Sequence, residues 1–390
     1  MNFRIFNYLS LINFFKAFFI NRKKANNFSE KELKKLLKKR YLDFSGMGRT
    51  SLILILRFLK FKNRKKREII VQAYNLPGFI EVIEIEKFKV VFVDINKNNG
   101  VVSLKDVQSK INKNTAAVIF TNMFNSLNQI VSIKKFLKKK NIPLIEDNAI
   151  YFDNYFKGNY NIYSGHIGDF VILSFNIMKN ISAFYGGAVV HNSKDFKNFC
   201  NIELKKYKKF SKFMLIRQIF VYFVLKLMTV NWLYKLIFFK IIYFSNKFNI
   251  AFLRNIFYPS LKFLKRTQNQ VLNQNISSYS KKVIYLQLKN KNLRQQNFLK
   301  RKKNNIFIDK KLKKKIKKLK RIKLLPITDY NFQNFLDYPI LVDNKDKFVN
   351  FMFKKNIELR KYHYFNCEKL FIRKNICKNS EYYEKHLVCI

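Results

Sequence analysis

Four short apolar runs between residues 68 and 146 constrain the fold of this chain most tightly. They read EIIVQA (68–73), KVVFVD (89–94), TAAVIFT (115–121) and PLIE (143–146), and the intervals at 79–87, 104–111 and 131–140 carry helical patterning. Strands that alternate with helices of about ten residues build a mostly parallel, doubly wound sheet, so the fold class is α/β. Ligands of such sheets bind outside the carboxyl ends of the strands. Chemistry is therefore to be sought where these runs end.

The last run opens the most informative stretch, 144–190, which reads LIEDNAIYFDNYFKGNYNIYSGHIGDFVILSFNIMKNISAFYGGAVV. One strand ends at Glu146 and Asp147. A second ends at Ser174 and Phe175, with Lys179 just beyond, and a third apolar run starts at Gly186 and Gly187. Asp147 and Lys179 thus both fall at strand ends, where one small ligand can touch both. The chain has only 9 glycines, all between Gly46 and Gly187, where average composition is roughly 7% glycine. Glycine kept in so poor a background marks backbone that takes positive φ or approaches a ligand closely. Gly46 and Gly48 precede a helical run, and a glycine turn feeding a helix N-terminus presents free N–H groups to an anion.

The succession IED-N-A, KG, GHIGDF, SFNIMKN and GGAVV resembles the DegT/DnrJ/EryC1/StrS family of pyridoxal-phosphate-dependent sugar aminotransferases. Gly48-Arg49-Thr50-Ser51-Leu52 lines up with that family's Gly-Thr-Ala-Ala-Leu-like turn. The resemblance runs from about Leu42 to the C-terminus and is densest over 144–190. It implies the aspartate aminotransferase type of fold, with a mostly parallel large domain and a smaller α+β C-terminal domain. It also implies pyridoxal 5'-phosphate as cofactor, Asp147 at the pyridine nitrogen, and Lys179 as covalent anchor and proton carrier. Gly48, the amides of Arg49 and Thr50, and Ser174 would hold the phosphate. Tyr74 would stack on the ring, with ordinary core packing as its other reading. Asn273, fourteen residues before Gln287, would reach the cofactor of the partner subunit in a homodimer with shared sites. The implied substrates are an amino-acid donor, glutamate foremost, and a nucleotide-linked keto-sugar for a surface polysaccharide such as lipopolysaccharide.

Several positions depart from the family pattern. Asn122 stands in place of His, Ile150 in place of a Gln beside the cofactor's phenolic oxygen, Tyr185 in place of a common Glu, and Asn275 in place of Arg. The first three motivate a second reading, a scaffold or sensor that binds the cofactor without turnover. Relatives with His in place of the lysine perform dehydration, and Lys179 argues against that reaction.

The formal charge is +54, with Lys, Asn, Ile, Phe and Tyr inflated together while Gly, Ala and Pro are scarce. Biased nucleotide composition leaves that signature, so the total charge names no partner. No nucleic-acid motif accompanies it, and no nucleic acid is expected. One segment differs. No acid occurs from Leu204 to Ile308, and 213–264 is dominated by Phe, Ile, Leu, Tyr and Val, broken by Arg217, Lys226, Lys235, Lys240, Lys247 and Arg254. No uncharged run there reaches the roughly 18 residues of a spanning helix. Cations, Phe and Trp232 suit an element lying on an anionic membrane surface, and a buried helical pair is the alternative.

The remaining expectations are structural. Residues 1–20 form an amphipathic helix that packs on the enzyme or lies on a membrane, and 27–40 a helix opened by a Ser29-x-x-Glu32 capping box. A Lys-rich helical hairpin occupies 300–321. Arg360, Tyr362 and His363 fall near the expected substrate entrance, without a spacing that assigns them roles. Cys200, Cys367, Cys377 and Cys389 read as reduced thiols of a cytoplasmic protein. With His363 and His386 they fit no standard zinc spacing, and no metal is expected. The expected division is an N-terminal extension (1–40), a cofactor domain (41–203), a basic apolar insertion (204–268) and a small domain (269–390). The expected location is cytoplasmic, with the insertion on the inner face of the membrane.

Overall fold

The computed structural model describes residues 9–123, 127–150, 152, 164–177, 179–248, 250, 272–315, 321–325, 337–361, 363–373 and 376–390. Helices α1 (Leu11–Phe19) and α2 (Arg22–Leu37) lead into β1 (Tyr41–Ser45) and α3 (Gly48–Lys62). The chain then alternates through β2 (Glu68–Gln72), β3 (Tyr74–Asn75), α4 (Pro77–Ile85), β4 (Lys89–Val93) and α5 (Leu104–Lys110). It continues through β5 (Thr115–Thr121), α6 (Leu127–Lys139), β6 (Leu144–Asp147), β7 (Phe170–Ser174), β8 (Gly187–His191) and α7 (Lys194–Glu203). Seven strands form one sheet in the order β1-β8-β7-β6-β5-β2-β4. All pairs from β7 to β4 are parallel, and β8 runs antiparallel to both its neighbours.

Beyond α7, α8 (Lys212–Met228) bends by 90° into α9 (Asn231–Leu233), a π-helical turn at Tyr234–Phe238, and α10 (Phe239–Lys247). Helices α11 (Ser278–Lys289) and α12 (Lys291–Lys315) follow, then β9 (Ile322–Leu324), β10 (Pro339–Val342) and α13 (Lys345–Lys354). The chain closes with β11 (Phe365–Asn366), α14 (Cys367–Phe371), α15 (Lys378–His386) and β12 (Leu387–Cys389). Strands β12, β10 and β9 form a small antiparallel sheet, and β11 pairs with β3, fastening the C-terminal part beside the end of β2.

The large sheet is covered on both faces, which is why the middles of its strands are mostly apolar, with polar residues chiefly at their ends. In β5, Ala117 and Ile119 face α3, α4 and α7, whereas Val118 and Phe120 face α5 and α6. In β7, Phe170 and Ile172 face the first layer, whereas Val171 and Leu173 face a cluster built by α1, α2 and α11. Truncating a buried leucine such as Leu173 to alanine costs about 2–5 kcal/mol, so this double layer dominates the stability of the sheet.

Two expectations are corrected. Helix α2 starts at Arg22, where the Asn21 side chain accepts the Lys24 amide at 3.1 Å and caps it. Ser29 then lies inside the helix on its buried face, so its spacing to Glu32 caps nothing. The 300–321 stretch holds no hairpin in its described part: α12 is one helix of 25 residues, and 316–320 lie outside the described residues. Helix α11 packs under β7 and β8 with α1 and α2.

Candidate active site

The carboxyl edge of the sheet gathers the residues singled out by the sequence. Register places Ser45 of β1 and Ser174 of β7 on either side of Gly187, in one row at that edge. The turn after β1 presses against this row. A Cβ on Gly187 would lie 2.6 Å from the Gly48 nitrogen and closer still to the Met47 carbonyl, so only glycine fits there. A Cβ on Gly48 would lie 3.2 Å from that of Ser174, which sets the glycine turn against the serine. Met47 precedes α3 in extended conformation and gives no side-chain cap. The first helical bond runs from the Ser51 amide to the Met47 carbonyl at 3.1 Å, which leaves the amides of Gly48, Arg49 and Thr50 without a partner inside the helix.

Hydroxyls fix this turn from below. The Ser45 hydroxyl donates to the Met47 carbonyl at 3.0 Å and lies 2.7 Å from that of Ser51. The Thr50 hydroxyl donates to the Leu272 carbonyl at 2.7 Å, so Thr50 offers a ligand its amide rather than its side chain.

Asp147 and Lys179 lie near enough to each other beside this edge to interact electrostatically. Asp147 ends β6, is 8% exposed, and accepts the Ala149 amide at 3.0 Å. Burial raises its carboxyl to about 6, against the amide bond and the attraction of Lys179. Burial likewise lowers the Lys179 ammonium to about 8, against the attraction of Asp147. Each group therefore keeps the other partly charged in a place where neither charge is well solvated. Opposite shifts in two coupled groups are the electrostatic mark of a functional pair.

The loop carrying Lys179 is braced at several points. The Lys179 amide donates to the Asn176 carbonyl at 2.9 Å, and the Ser182 hydroxyl donates to the Ile177 carbonyl at 2.7 Å. Gln287 of α11 grips Ser182 on both sides, accepting its amide at 3.1 Å and donating to its carbonyl at 2.7 Å. Glu146 supports the other half of the site. It is fully buried and accepts the amides of Gly165 (2.6 Å), Ile167 (3.2 Å) and Gly168 (2.8 Å), together with the Asn122 side chain at 2.8 Å. The GHIGD turn thus wraps a carboxylate of its own chain rather than a ligand. A Cβ on Gly168 would lie 2.6 Å from that of Glu146. Asn122, which replaces the family's His, belongs to this support.

Other expected residues lie elsewhere. Tyr74 is 1% exposed, its ring stacked on His363 at 6.3 Å and edge-on to Tyr364 and Tyr383, the surroundings of a core residue. Asn273 stands between Leu272 and Gln274, whose carbonyls accept the Thr50 hydroxyl and the Gly46 amide, and it lines a cleft of about 330 Å³ with Arg57, Lys60 and Glu86, with its Oδ1 buried and unpartnered. Asn275 donates to the carbonyls of Leu204 and Tyr207, both at 3.1 Å, and so ties down the end of the insertion. The Tyr185 hydroxyl accepts Gln218 of α8 at 3.1 Å, and burial pushes the Arg49 guanidinium below its ordinary value. Ile150 packs into the core under α5 and α6. Met178 and Tyr362 lie outside the described residues.

Sequence reasoning assigned no role to Arg360, and none at all to Asp337. They form an ion pair at 2.9 Å, and both act electrostatically on Lys179. His363 lies 3.7 Å from the same carboxylate and is held neutral, its imidazole lowered to about 3 by burial and by Arg360. Asp337, His363 and Cys389 bring ligand atoms within 4.8 Å of one another. The guanidinium on that carboxylate disfavours a second cation there. The other candidates are spent elsewhere: the Cys367 thiol donates to the Asn75 carbonyl at 3.3 Å and His386 Nδ1 bonds the Val342 carbonyl at 2.8 Å. All four cysteines are free and buried.

A phosphorylated pyridine fits what is present. An uncapped helix N-terminus beside a serine hydroxyl suits the phosphate, a buried carboxylate suits a protonated ring nitrogen, and a desolvated amine suits the aldehyde.

Known proteins support that fit. The fold is shared with Helicobacter pylori PseC, an aminotransferase involved in the biosynthesis of pseudoaminic acid, at a TM-score of 0.66 and 15% identity over 94% of this chain and 85% of that one. It is shared equally with Escherichia coli GDP-4-keto-6-deoxy-D-mannose-3-dehydratase solved with bound hydrated PLP, at 0.66 and 16% over 99% and 95%. By sequence, GDP-perosamine synthase of Escherichia coli O157:H7 is 29% identical over 133 residues, 34% of this chain and 36% of that protein. UDP-4-amino-4,6-dideoxy-N-acetyl-beta-L-altrosamine transaminase of Campylobacter jejuni is 34% identical over 134 residues, 34% and 35% of the two chains. These alignments span only about a third of the relatives' length. The family model covers more, matching residues 15–212, from α1 through the glycine turn, Asp147, Lys179 and the first residue of α8. With that match over half its length and the fold to go with it, the chain belongs to the DegT/DnrJ/EryC1/StrS aminotransferase family.

Proposed function

We propose that this protein is a pyridoxal-phosphate-dependent aminotransferase that moves an amino group from an amino acid, glutamate foremost, to a nucleotide-linked keto-sugar. The observation that carries this reading is the Asp147–Lys179 pair, two desolvated and coupled groups of opposite charge at one sheet edge. The cofactor supplies an electron sink for the carbon that loses its proton. The chain supplies the rest. Lys179, with its ammonium near 8, is partly neutral at physiological pH and serves as nucleophile and then as proton carrier. Asp147 holds a proton on the ring nitrogen. The amides of Gly48, Arg49 and Thr50 with the Ser174 hydroxyl bind the phosphate. Arg360, which acts on Lys179, is the cation for the donor's carboxylate, released to it from Asp337.

Names of similar proteins support the acceptor class, since perosamine and altrosamine enzymes act on GDP- and UDP-linked sugars. A cytoplasmic homodimer in surface-polysaccharide synthesis is part of the same reading, with Asn273, whose Oδ1 has no partner within this chain, as the residue offered to the partner subunit's cofactor. The test is reconstitution of the purified protein with pyridoxal phosphate, then addition of glutamate and a panel of nucleotide keto-sugars. Loss of the visible band of lysine-bound cofactor with glutamate, and aminated sugar by mass, is the expected result. A protein that cannot be loaded refutes the reading.

The second reading, a scaffold or sensor, draws on Ile150, which replaces by sequence a glutamine that the family sets beside the cofactor. It predicts loading without any spectral response to glutamate.

A further inference from the structure

Helix α8 shows the outside a stripe that its fold does not use. Phe213, Ile216, Phe220, Phe223 and Leu227 are all exposed and succeed one another at three- and four-residue steps, down one side of the helix. Tyr222 and Met228 point the other way and are buried, with the Tyr222 hydroxyl donating to the Leu9 carbonyl at 3.1 Å. The helix is therefore held to the protein by one face and bares the other.

The same surface continues in both directions. Past the 90° bend, Trp232, Leu236 and Phe244 are exposed, while Tyr234, Phe239 and Ile242 pack into the C-terminal core. On the other side, the buried Phe14 of α1 lies 5.3 Å from the Phe223 ring and 5.1 and 5.7 Å from those of Phe15 and Phe18, which are exposed. Two segments far apart in sequence thus join in one apolar face. Monomeric soluble proteins rarely leave so extended a patch bare, and such patches mark protein or membrane contacts.

Charge decides between those two. Lys16, Lys212, Arg217, Lys235, Lys240 and Lys247 are exposed on these helices, and the sequence has no acid before Glu30 or between Leu204 and Ile308. A second copy docking through a two-fold axis would set this acid-free surface against itself, and like charges would meet. Anionic headgroups meet the cations with opposite charge, and the acyl boundary receives the rings. Among the described residues no single helix is long and apolar enough to cross a membrane, and the arm keeps buried anchors on both sides of its bend. We infer that α1 and the bent α8–α10 arm together form a docking face for an anionic lipid bilayer, laid along the interface without crossing it.

Trp232 is the only tryptophan of the chain and is 64% exposed on this face, so it reports docking with no substitution. The full-length protein is mixed with phosphatidylcholine vesicles, with and without phosphatidylglycerol, and followed by Trp232 emission and by flotation. The expected result is a blue shift and co-flotation with the anionic vesicles, much weaker with the neutral ones, and reversal as salt screens the headgroups. Phe220→Glu and Ile216→Glu remove exposed side chains, so thermal melting should hold while vesicle binding weakens about tenfold or more. Absence of a blue shift with either vesicle overturns the inference, and so does an equal response to both. If Phe220→Glu splits an oligomer in sedimentation velocity and leaves vesicle binding unchanged, the face is a subunit contact and the inference fails.

Discussion

Replacing Asp147 with Asn should stabilise the cofactor-free protein while it abolishes cofactor retention. The carboxyl rises from 3.8 to about 6 on folding because it is buried, despite the amide of Ala149 and the charge of Lys179. A raised acid means that the folded state keeps a proton the unfolded state has already released. Stability therefore falls as pH rises through the window from 3.8 to about 6, and the loss is complete above it. A shift of that size corresponds to about 3 kcal/mol. Asn removes the penalty, so cofactor-free Asp147→Asn should gain about 2–3 kcal/mol at pH 8 by urea denaturation. Near pH 5 the gain should shrink towards zero. There the wild-type carboxyl is mostly protonated, and loss of its attraction lowers Lys179 further while the unfolded lysine stays charged. The same variant should lose the visible band of bound cofactor at every pH. A gain that does not depend on pH, or a destabilisation at pH 8, would refute the electrostatic account of the site.

Gly187→Ala should push its new methyl into the Met47 carbonyl and the Gly48 nitrogen, costing about 2 kcal/mol or more and weakening phosphate affinity, read by denaturation and by cofactor titration. Gln287→Ala should free the Ser182 backbone and loosen the Lys179 loop, costing about 1–3 kcal/mol, with slower turnover and little change in sugar KM. Arg360→Gln should raise the donor KM more than it lowers kcat. Since Arg360 lowers Lys179, the variant should also move the ascending, acid-side limb of the pH profile to higher pH, which a purely structural role would not do.

How much of this was legible in the sequence depends on whether the cause is local. The strands at 68–72, 89–93, 115–121 and 144–147 were readable because both sheet faces are covered, so each carries a short continuous apolar run. The placement of Asp147 and Ser174 at the carboxyl edge, with Lys179 just beyond, was readable because each follows from where an apolar run ends. Arg360 and Asp337 were not, since β11 and the C-terminal sheet bring them to Lys179 from about two hundred residues away, and no periodicity encodes that. The GHIGD glycines were visible, but not what they approach, because Glu146 looks like any strand-end acid until its amide partners are seen. The start of α2 was missed because one Asn at the N-cap outweighs a Ser–Glu spacing whose serine lies within the buried face.

Lysine is so abundant here that the central assignment needs a chemical map rather than an activity. The protein, loaded with less than one equivalent of pyridoxal phosphate, is reduced with borohydride, digested, and its labelled peptides are sequenced by mass. Lys281 and Lys345 serve as internal controls, because burial lowers both to about 8 just as it does Lys179, yet neither has the carboxylate of Asp147 or the turn at Gly48 beside it. The account predicts label on Lys179 alone, abolished by free phosphate in excess and by Asp147→Asn. Label spread over Lys281, Lys345 and surface lysines, or absent from Lys179, would contradict it.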